Sequence, residues 1–214
     1  RALLGIIVAA IFVLLSQLTV MSLAGYVYPN VYGSAAAQST ASLLGTVVML
    51  IVCAPFASKL AAKFGKKELA VASSICSALV WLVCLIWRPA SVWGFVACYI
   101  LANIGMGFFN TIIWAMITDV IDDAEVRSGI REDGTIYSVY SFARKLGQAF
   151  SSGLVGALLG IIGYTEATAF DPAVTRGIFN MACIAPIIGF VCIVLALVFL
   201  YPLNKKKVEE NVAA

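Results

Sequence analysis

Apolar residues fill six stretches of the chain, at about 3–26, 39–61, 69–87, 92–117, 136–163 and 178–202, and each is closed by charge, proline or glycine. A helix rising 1.5 Å per residue needs about 20 apolar residues to cross roughly 30 Å of hydrocarbon. The pattern therefore predicts an all-α membrane protein with six transmembrane helices, and the polar breaks between them leave no room for an appended soluble domain.

Composition agrees with the pattern and removes several chemistries. Of 214 residues, 62% are hydrophobic and only 12% charged, against about 25% charged in a soluble domain; mean hydropathy is +1.01. The six cysteines, Cys53, Cys76, Cys84, Cys98, Cys183 and Cys192, lie inside apolar runs without CxxC spacing and read as small buried hydrophobes. There is no histidine, so His-based proton transfer and His-ligated zinc are excluded. GxSxG and GxGD patterns are absent as well. An enzyme is not expected, nor a cofactor, a metal site or a nucleic-acid partner. The chain opens on Arg1 without a cleavage-site pattern, and the expectation is that it begins partway through a longer gene product.

Charge sets an expected orientation. If the first span starts in the cytoplasm, that side holds Arg1, Lys59, Lys63, Lys66, Lys67, Arg127, Arg131, Lys205, Lys206 and Lys207, and the other side only Arg88 and Arg176. This asymmetry predicts both termini inside, in a membrane that is read as the bacterial cytoplasmic membrane. The tail NKKKVEENVAA would hold the last helix end at an anionic lipid surface.

Polar residues inside the runs are the candidates for function. A lysine or arginine at membrane depth costs roughly 2.5–3.5 kcal/mol on insertion scales, and Arg144 and Lys145 sit well inside the fifth run. On that helix Ser138, Ser141, Lys145, Gln148 and Ser152 recur at steps of three or four, a polar stripe suited to lining something wet. Gly153, Gly156, Gly160 and Gly163 follow at similar steps and predict close helix packing. The fourth run carries Asn103, Gly107, Asn110 and Trp114 on one stripe, amides and an indole that suit a hydroxyl-rich solute or serve as interhelical glue. Gln17 and Thr19 are lesser candidates in the first run.

The connector TDVIDDAEVRSGIREDGT gathers Asp119, Asp122, Asp123, Glu125, Arg127, Arg131, Glu132 and Asp133. It reads either as a solvated connector with a short surface helix or as a cytoplasmic gate of ion pairs reaching to a partner half. Asp123 to Arg127 is a step of four that allows pairing. The loop SKLAAKFGKK, with Gly65 permitting a tight turn, is ordinary positive-inside topology on its own.

Two of these segments carry a family resemblance. Asp119-Val120-Ile121-Asp122-Asp123-Ala124-Glu125 resembles a D-x-x-D-Y-G-E run. Gly129 to Gly134, followed by Ile136-Tyr137-Ser138-Val139-Tyr140-Ser141-Phe142-Ala143-Arg144-Lys145-Leu146-Gly147, resembles the motif and helix after it. Both are similar to the C-terminal half of the glycoside-pentoside-hexuronide cation symporters, the melibiose-carrier family of the major facilitator superfamily. Lys145 matches the lysine that this family places beside the central cavity, and SKLAAKFGKK resembles the superfamily's basic loop. Asp123 and Ala124 depart from the usual Tyr-Gly, and Ala62 stands where an acid is common.

The resemblance implies six helices in two three-helix repeats, forming one half of a major facilitator fold. Its implied function is symport of a sugar or glycoside coupled to sodium or protons, with the ion bound mainly by a separate N-terminal six-helix half. Lys145, Asn103, Asn110, Trp114, Gln148, Ser141 and Arg144 are then the candidate substrate-binding residues, and Asp119, Asp122, Glu125, Arg127 and Arg131 the candidate gate. The rival expectations are a facilitator for a lipid or anionic amphiphile and a membrane scaffold that transports nothing.

Overall fold

A computed structural model describes residues 2–213, with side chains described as far as Asn211; Arg1 lies outside the described residues. Seven helices follow one another: α1 Ala2–Val31, α2 Ala35–Phe64, α3 Lys66–Trp87, α4 Val92–Ser128, α5 Asp133–Ile161, α6 Pro172–Leu200 and the short α7 Lys205–Ala213. Each of the six apolar runs becomes a helix. Most of the helices run beyond the apolar residues, because polar ends lying outside hydrocarbon can still complete a backbone ladder.

The largest extension corrects the reading of the connector. α4 continues through the acidic segment to Ser128 and stops at Gly129, whose φ of 72° suits glycine. Asp119, Asp122, Asp123 and Glu125 therefore ride on the end of a long helix, not on a separate surface helix, and Asp133 opens α5. Within α1 and α2 the backbone widens into π-helical turns at Val27–Val31 and Met49–Cys53. Pro29 lies in the first and Pro55 just follows the second. A missing N–H at such positions leaves a carbonyl to be satisfied by a shifted partner.

Packing between the helices has an internal symmetry. α1 packs along α5 and α6, while α4 packs along α2 and α3; α3 and α6 lie against each other, as do α1 and α4. Exchanging α1 with α4, α2 with α5 and α3 with α6 leaves this pattern unchanged, as expected for two three-helix repeats. Phe95 ties the two repeats together, its ring centroid 5.5 to 6.0 Å from those of Tyr28, Tyr32, Trp81 and Phe179.

α1, α2, α3, α4 and α6 are long and apolar enough to cross a membrane. α5, at 29 residues, is also long enough, but Arg144, Lys145, Gln148 and its serines make it more polar than the others. Its packed face is Ile136, Tyr140, Ala143, Gly147, Ser151 and Val155. The polar stripe of Ser138, Ser141, Lys145, Gln148 and Ser152 lies on the opposite side and is exposed throughout.

The glycine expectation needs correction. A Cβ added at Gly153, Gly156, Gly160 or Gly163 would meet nothing within 4 Å, so none of them marks a close contact inside this bundle. The close approach on α5 belongs to Gly147, where a Cβ would stand 2.8 Å from the Ile11 carbonyl oxygen and 3.2 Å from Leu14 Cβ on α1. Gly147→Val should force α1 and α5 apart and cost about 1–3 kcal/mol, read as a lowered Tm in detergent; an unchanged Tm would contradict this packing. Cys76 is likewise exposed rather than buried, although Cys53, Cys84, Cys98 and Cys183 are buried.

Candidate functional site

The stripe Asn103, Gly107, Asn110 and Trp114 is continuous on α4, but three different helices cross it, so its members have different neighbours. A Cβ on Gly107 would stand 2.7 Å from Cys53 Sγ of α2. The Asn110 amide donates to Gln17 Oε1 of α1 at 3.5 Å. Trp114 reaches α5. Asn103 donates to the Tyr99 carbonyl one turn back at 2.7 Å and lines a cavity of about 60 Å³ together with Ser16, Gln17, Trp81 and Tyr99. A space of that size and polarity suits a couple of ordered waters rather than a sugar. Thr19 is buried and its hydroxyl has no hydrogen-bond partner.

Where α4 meets α5, an arginine and two aromatic rings form a compact group. The Trp114 and Tyr140 rings meet edge to face with centroids 5.5 Å apart. The Arg144 guanidinium carbon lies 5.3 Å from the Trp114 ring centroid and 5.8 Å from that of Tyr140. Arg144 also donates to the Tyr140 hydroxyl at 3.4 Å. Tyr140 is buried, whereas Trp114 is 48% exposed. One step on, Lys145 is exposed, with Ser141 and Gln148 exposed one turn to either side. Lys145 lies twelve residues from the start of α5, about 18 Å along the helix.

Neither cation has a carboxylate near it. Among the described residues the ion pairs involve Lys66, Asp119, Asp122, Asp123, Glu125, Arg127, Arg131, Asp133 and the tail, never Arg144 or Lys145. All eleven acids of the chain lie at helix ends, in connectors or in the tail. Two positive charges thus stand side by side on α5 with no carboxylate in ion-pair distance among the described residues.

The charged end of the bundle is organised more tightly than its sequence suggested. Lys66, in the loop read as ordinary topology, reaches Asp119 at 2.6 Å, with Asp119 only 6% exposed. Arg127 pairs with Asp123 at 3.0 Å, the step of four noted above. Arg131 bridges Asp122 at 3.1 Å, Glu125 at 2.7 Å and Asp133 at 2.9 Å, which raises the pKa of its guanidinium still further. The named gate residues Asp119, Asp122, Glu125, Arg127 and Arg131 therefore all find partners within this chain.

The tail joins the same group. Asn211 of α7 is buried and donates to Asp123 at 3.1 Å, and Lys67 donates to the Tyr201 carbonyl at 2.6 Å. Burial pushes the Tyr201 phenol pKa up, the nearby Asp119 adding to it. Sequence reasoning missed Lys66, Lys67 and Asn211. For Lys66 a signal was available, since a lysine in a tight turn beside a helix carrying an acid is placed to pair, whereas nothing local marks Asn211.

Comparison with known proteins fits this arrangement. Residues 1–205 match the family described as MFS/sugar transport protein. The chain is 28% identical over 215 residues to the Glucuronide carrier protein homolog of Escherichia coli K12, covering 99% of this chain and 46% of that protein. It is 34% identical over 152 residues to Uncharacterized symporter YjmB of Bacillus subtilis 168, covering 71% of this chain and 33% of that one. The chain thus spans less than half the length of these curated relatives. It is an integral membrane protein whose six long helices form half of a major facilitator fold, and it belongs to the MFS/sugar transport protein family.

Proposed function

We propose that this chain is one half of a secondary active carrier that moves a sugar or glycoside together with sodium or protons by alternating access. The observation that carries the reading is the polar face of α5. Ser141, Lys145 and Gln148 are exposed on the side turned away from the bundle, and a charge there is too costly to leave against lipid. In carriers of this architecture the solute site lies near the midplane between two such bundles, which rock about it.

On this reading Lys145 faces the acid that binds the coupling ion in the other half, both termini are cytoplasmic, and the open faces of Gly153, Gly156 and Gly160 lie against a helix of that half. Trp114 and Gln148 contact the solute. Asn103 and Asn110 shape the wall from behind, since both are half-buried and turned to protein partners. The test is uptake of radiolabelled sugars and glycosides by the whole gene product in proteoliposomes. Accumulation should appear only under an imposed sodium or proton gradient; accumulation indifferent to both gradients would rule out coupling, and no uptake of any sugar would reject the solute class.

A further inference from the structure

We propose that the seam between α3 and α6 holds an anionic phospholipid, with its phosphate on Arg88 and Arg176 and one acyl chain in the apolar groove below them. This site lies apart from the solute path. Among the described residues, Arg88 and Arg176 are the cations at the end of the bundle remote from the Asp119–Arg131 cluster, and both line one cavity of about 360 Å³. They depart from the charge bias of the rest of the chain and converge on a single place. Around them stand Tyr32 just after α1, and Pro172, Thr175 and Phe179 in the first turns of α6.

The two cations are held together without an acid. Arg88 closes α3 in the left-handed conformation, φ 48°, that usually falls to glycine. Its guanidinium donates to Asn180 Oδ1 at 2.8 Å. Asn180 is one helical turn from Arg176, so this bond draws Arg88 toward a like charge. No carboxylate lines the cavity, and neither arginine has an ion pair among the described residues. An anion between them offsets the repulsion, and two guanidinium forks suit the oxygens of a phosphate. The positive end of α6 adds to the attraction.

Depth and the groove below identify that phosphate as a lipid's. Trp87 and Trp93 flank the turn at Arg88 and are 62% and 58% exposed, as tryptophans are at the headgroup level. Beneath it α3 and α6 leave a groove of about 250 Å³ lined by Ile75, Leu79, Leu82, Ile187, Val191 and Leu195. On α3 the stripe Ile75, Leu79, Leu82 and Ile86 climbs at steps of four, three and four toward Arg88; on α6 Arg176 and Asn180 share a face with Ile187, Val191 and Val194. Cavity and groove therefore lie on one seam. Counted along α3, the groove runs from about 9 to about 20 Å below Arg88. A chain hung from that headgroup passes there, through a headgroup layer of about 6 Å and a leaflet of about 15 Å.

The bilayer, rather than the other half, covers this seam. α1 lies between α5 and α6, and α4 lies between α2 and α3, so the seam is across α1 and α4 from the polar face of α5 that the proposed function gives to the other half.

The experiment is native mass spectrometry of the whole gene product, delipidated in detergent and titrated with palmitoyl-oleoyl phosphatidylglycerol or with phosphatidylcholine carrying the same chains. Wild type should bind the first phosphatidylglycerol at least tenfold more tightly than phosphatidylcholine. Arg88→Gln combined with Arg176→Gln should bring the two lipids within about twofold of each other. Leu79→Trp, which fills the groove, should weaken phosphatidylglycerol at least threefold. As a measurement free of variants, phosphatidylglycerol with a photoreactive group on its acyl chain should label residues 75–86 and 187–195 in vesicles, at least fivefold more than the phosphatidylcholine analogue does. Equal binding of the two lipids by wild type, an unchanged preference in the double variant, or labelling indifferent to the headgroup would overturn the inference. So would displacement of the lipid by an equal concentration of inorganic phosphate, which would make the cavity a site for free anions. None of these readouts involves uptake, so the carrier reading stands or falls separately.

Discussion

Lys145→Ala should abolish concentrative uptake by the whole carrier while leaving its amount in the membrane unchanged. Lys145 stands about 18 Å along α5, exposed on the face turned away from α1 and without a carboxylate in ion-pair distance among the described residues. On the proposed reading it answers an acid of the other half, at a place where removing one partner of a buried pair costs roughly 3–5 kcal/mol. That corresponds to a loss of about two to four orders of magnitude in the rate of coupled transport. Lys145→Arg keeps the charge at a different reach and should retain part of the activity. The check is the initial rate of gradient-driven uptake at matched expression, and more than half of the wild-type rate in Lys145→Ala would contradict this role.

The second large effect concerns the charged end of the bundle. Asp119 is 6% exposed, takes its hydrogen bond from Lys66 at 2.6 Å through Oδ1, and has no partner at Oδ2. Lys66→Ala would leave that carboxylate charged, buried and unpaired. The side chain of Lys66 is itself 34% exposed, so the loss should fall below the roughly 3–5 kcal/mol of a fully enclosed pair, yet above the ~1 kcal/mol of a surface pair. Asp119→Asn in the same molecule removes the orphaned charge and should restore most of the lost Tm. If Lys66→Ala and the double variant melt alike, the pair is not what holds α3 to α4 at this end.

The six helices were legible because apolar length in a membrane protein is dictated by bilayer thickness, which leaves few alternatives. Helix ends were less legible. Nothing in the hydropathy of the acidic segment signals that α4 runs on to Ser128, since beyond the hydrocarbon a charged helix and a charged loop are equally soluble. Within the candidate site, periodicity grouped Ser141, Lys145 and Gln148 correctly on one face of α5. It also grouped Asn103, Asn110 and Trp114 on α4, but spacing along one helix is silent about which neighbour crosses each turn, and the three point to different partners. Gly147 shows the same limit. Its spacing is unremarkable beside the glycine series that follows, and only the course of α1 past Ile11 makes it the glycine that packing requires.

Arg144 illustrates what sequence and structure contribute separately. The run of residues marked it as an ionisable group at membrane depth. Its position over Trp114 and Tyr140 depends on α4 and α5 meeting at that turn, a tertiary fact that no local pattern encodes.

On the proposed function, the polar face of α5 lines a water path open alternately to the two sides of the membrane. Gln148 lies on that face and is exposed, so a cysteine placed there, in the whole carrier with its native cysteines replaced, reports the path directly. A membrane-impermeant thiol reagent should label Gln148→Cys from either side of sealed vesicles, and a transported solute should slow the labelling. Failure to label from either side, at a rate no greater than for a cysteine kept at Cys76, which is exposed among the apolar side chains of α3, would contradict such a path.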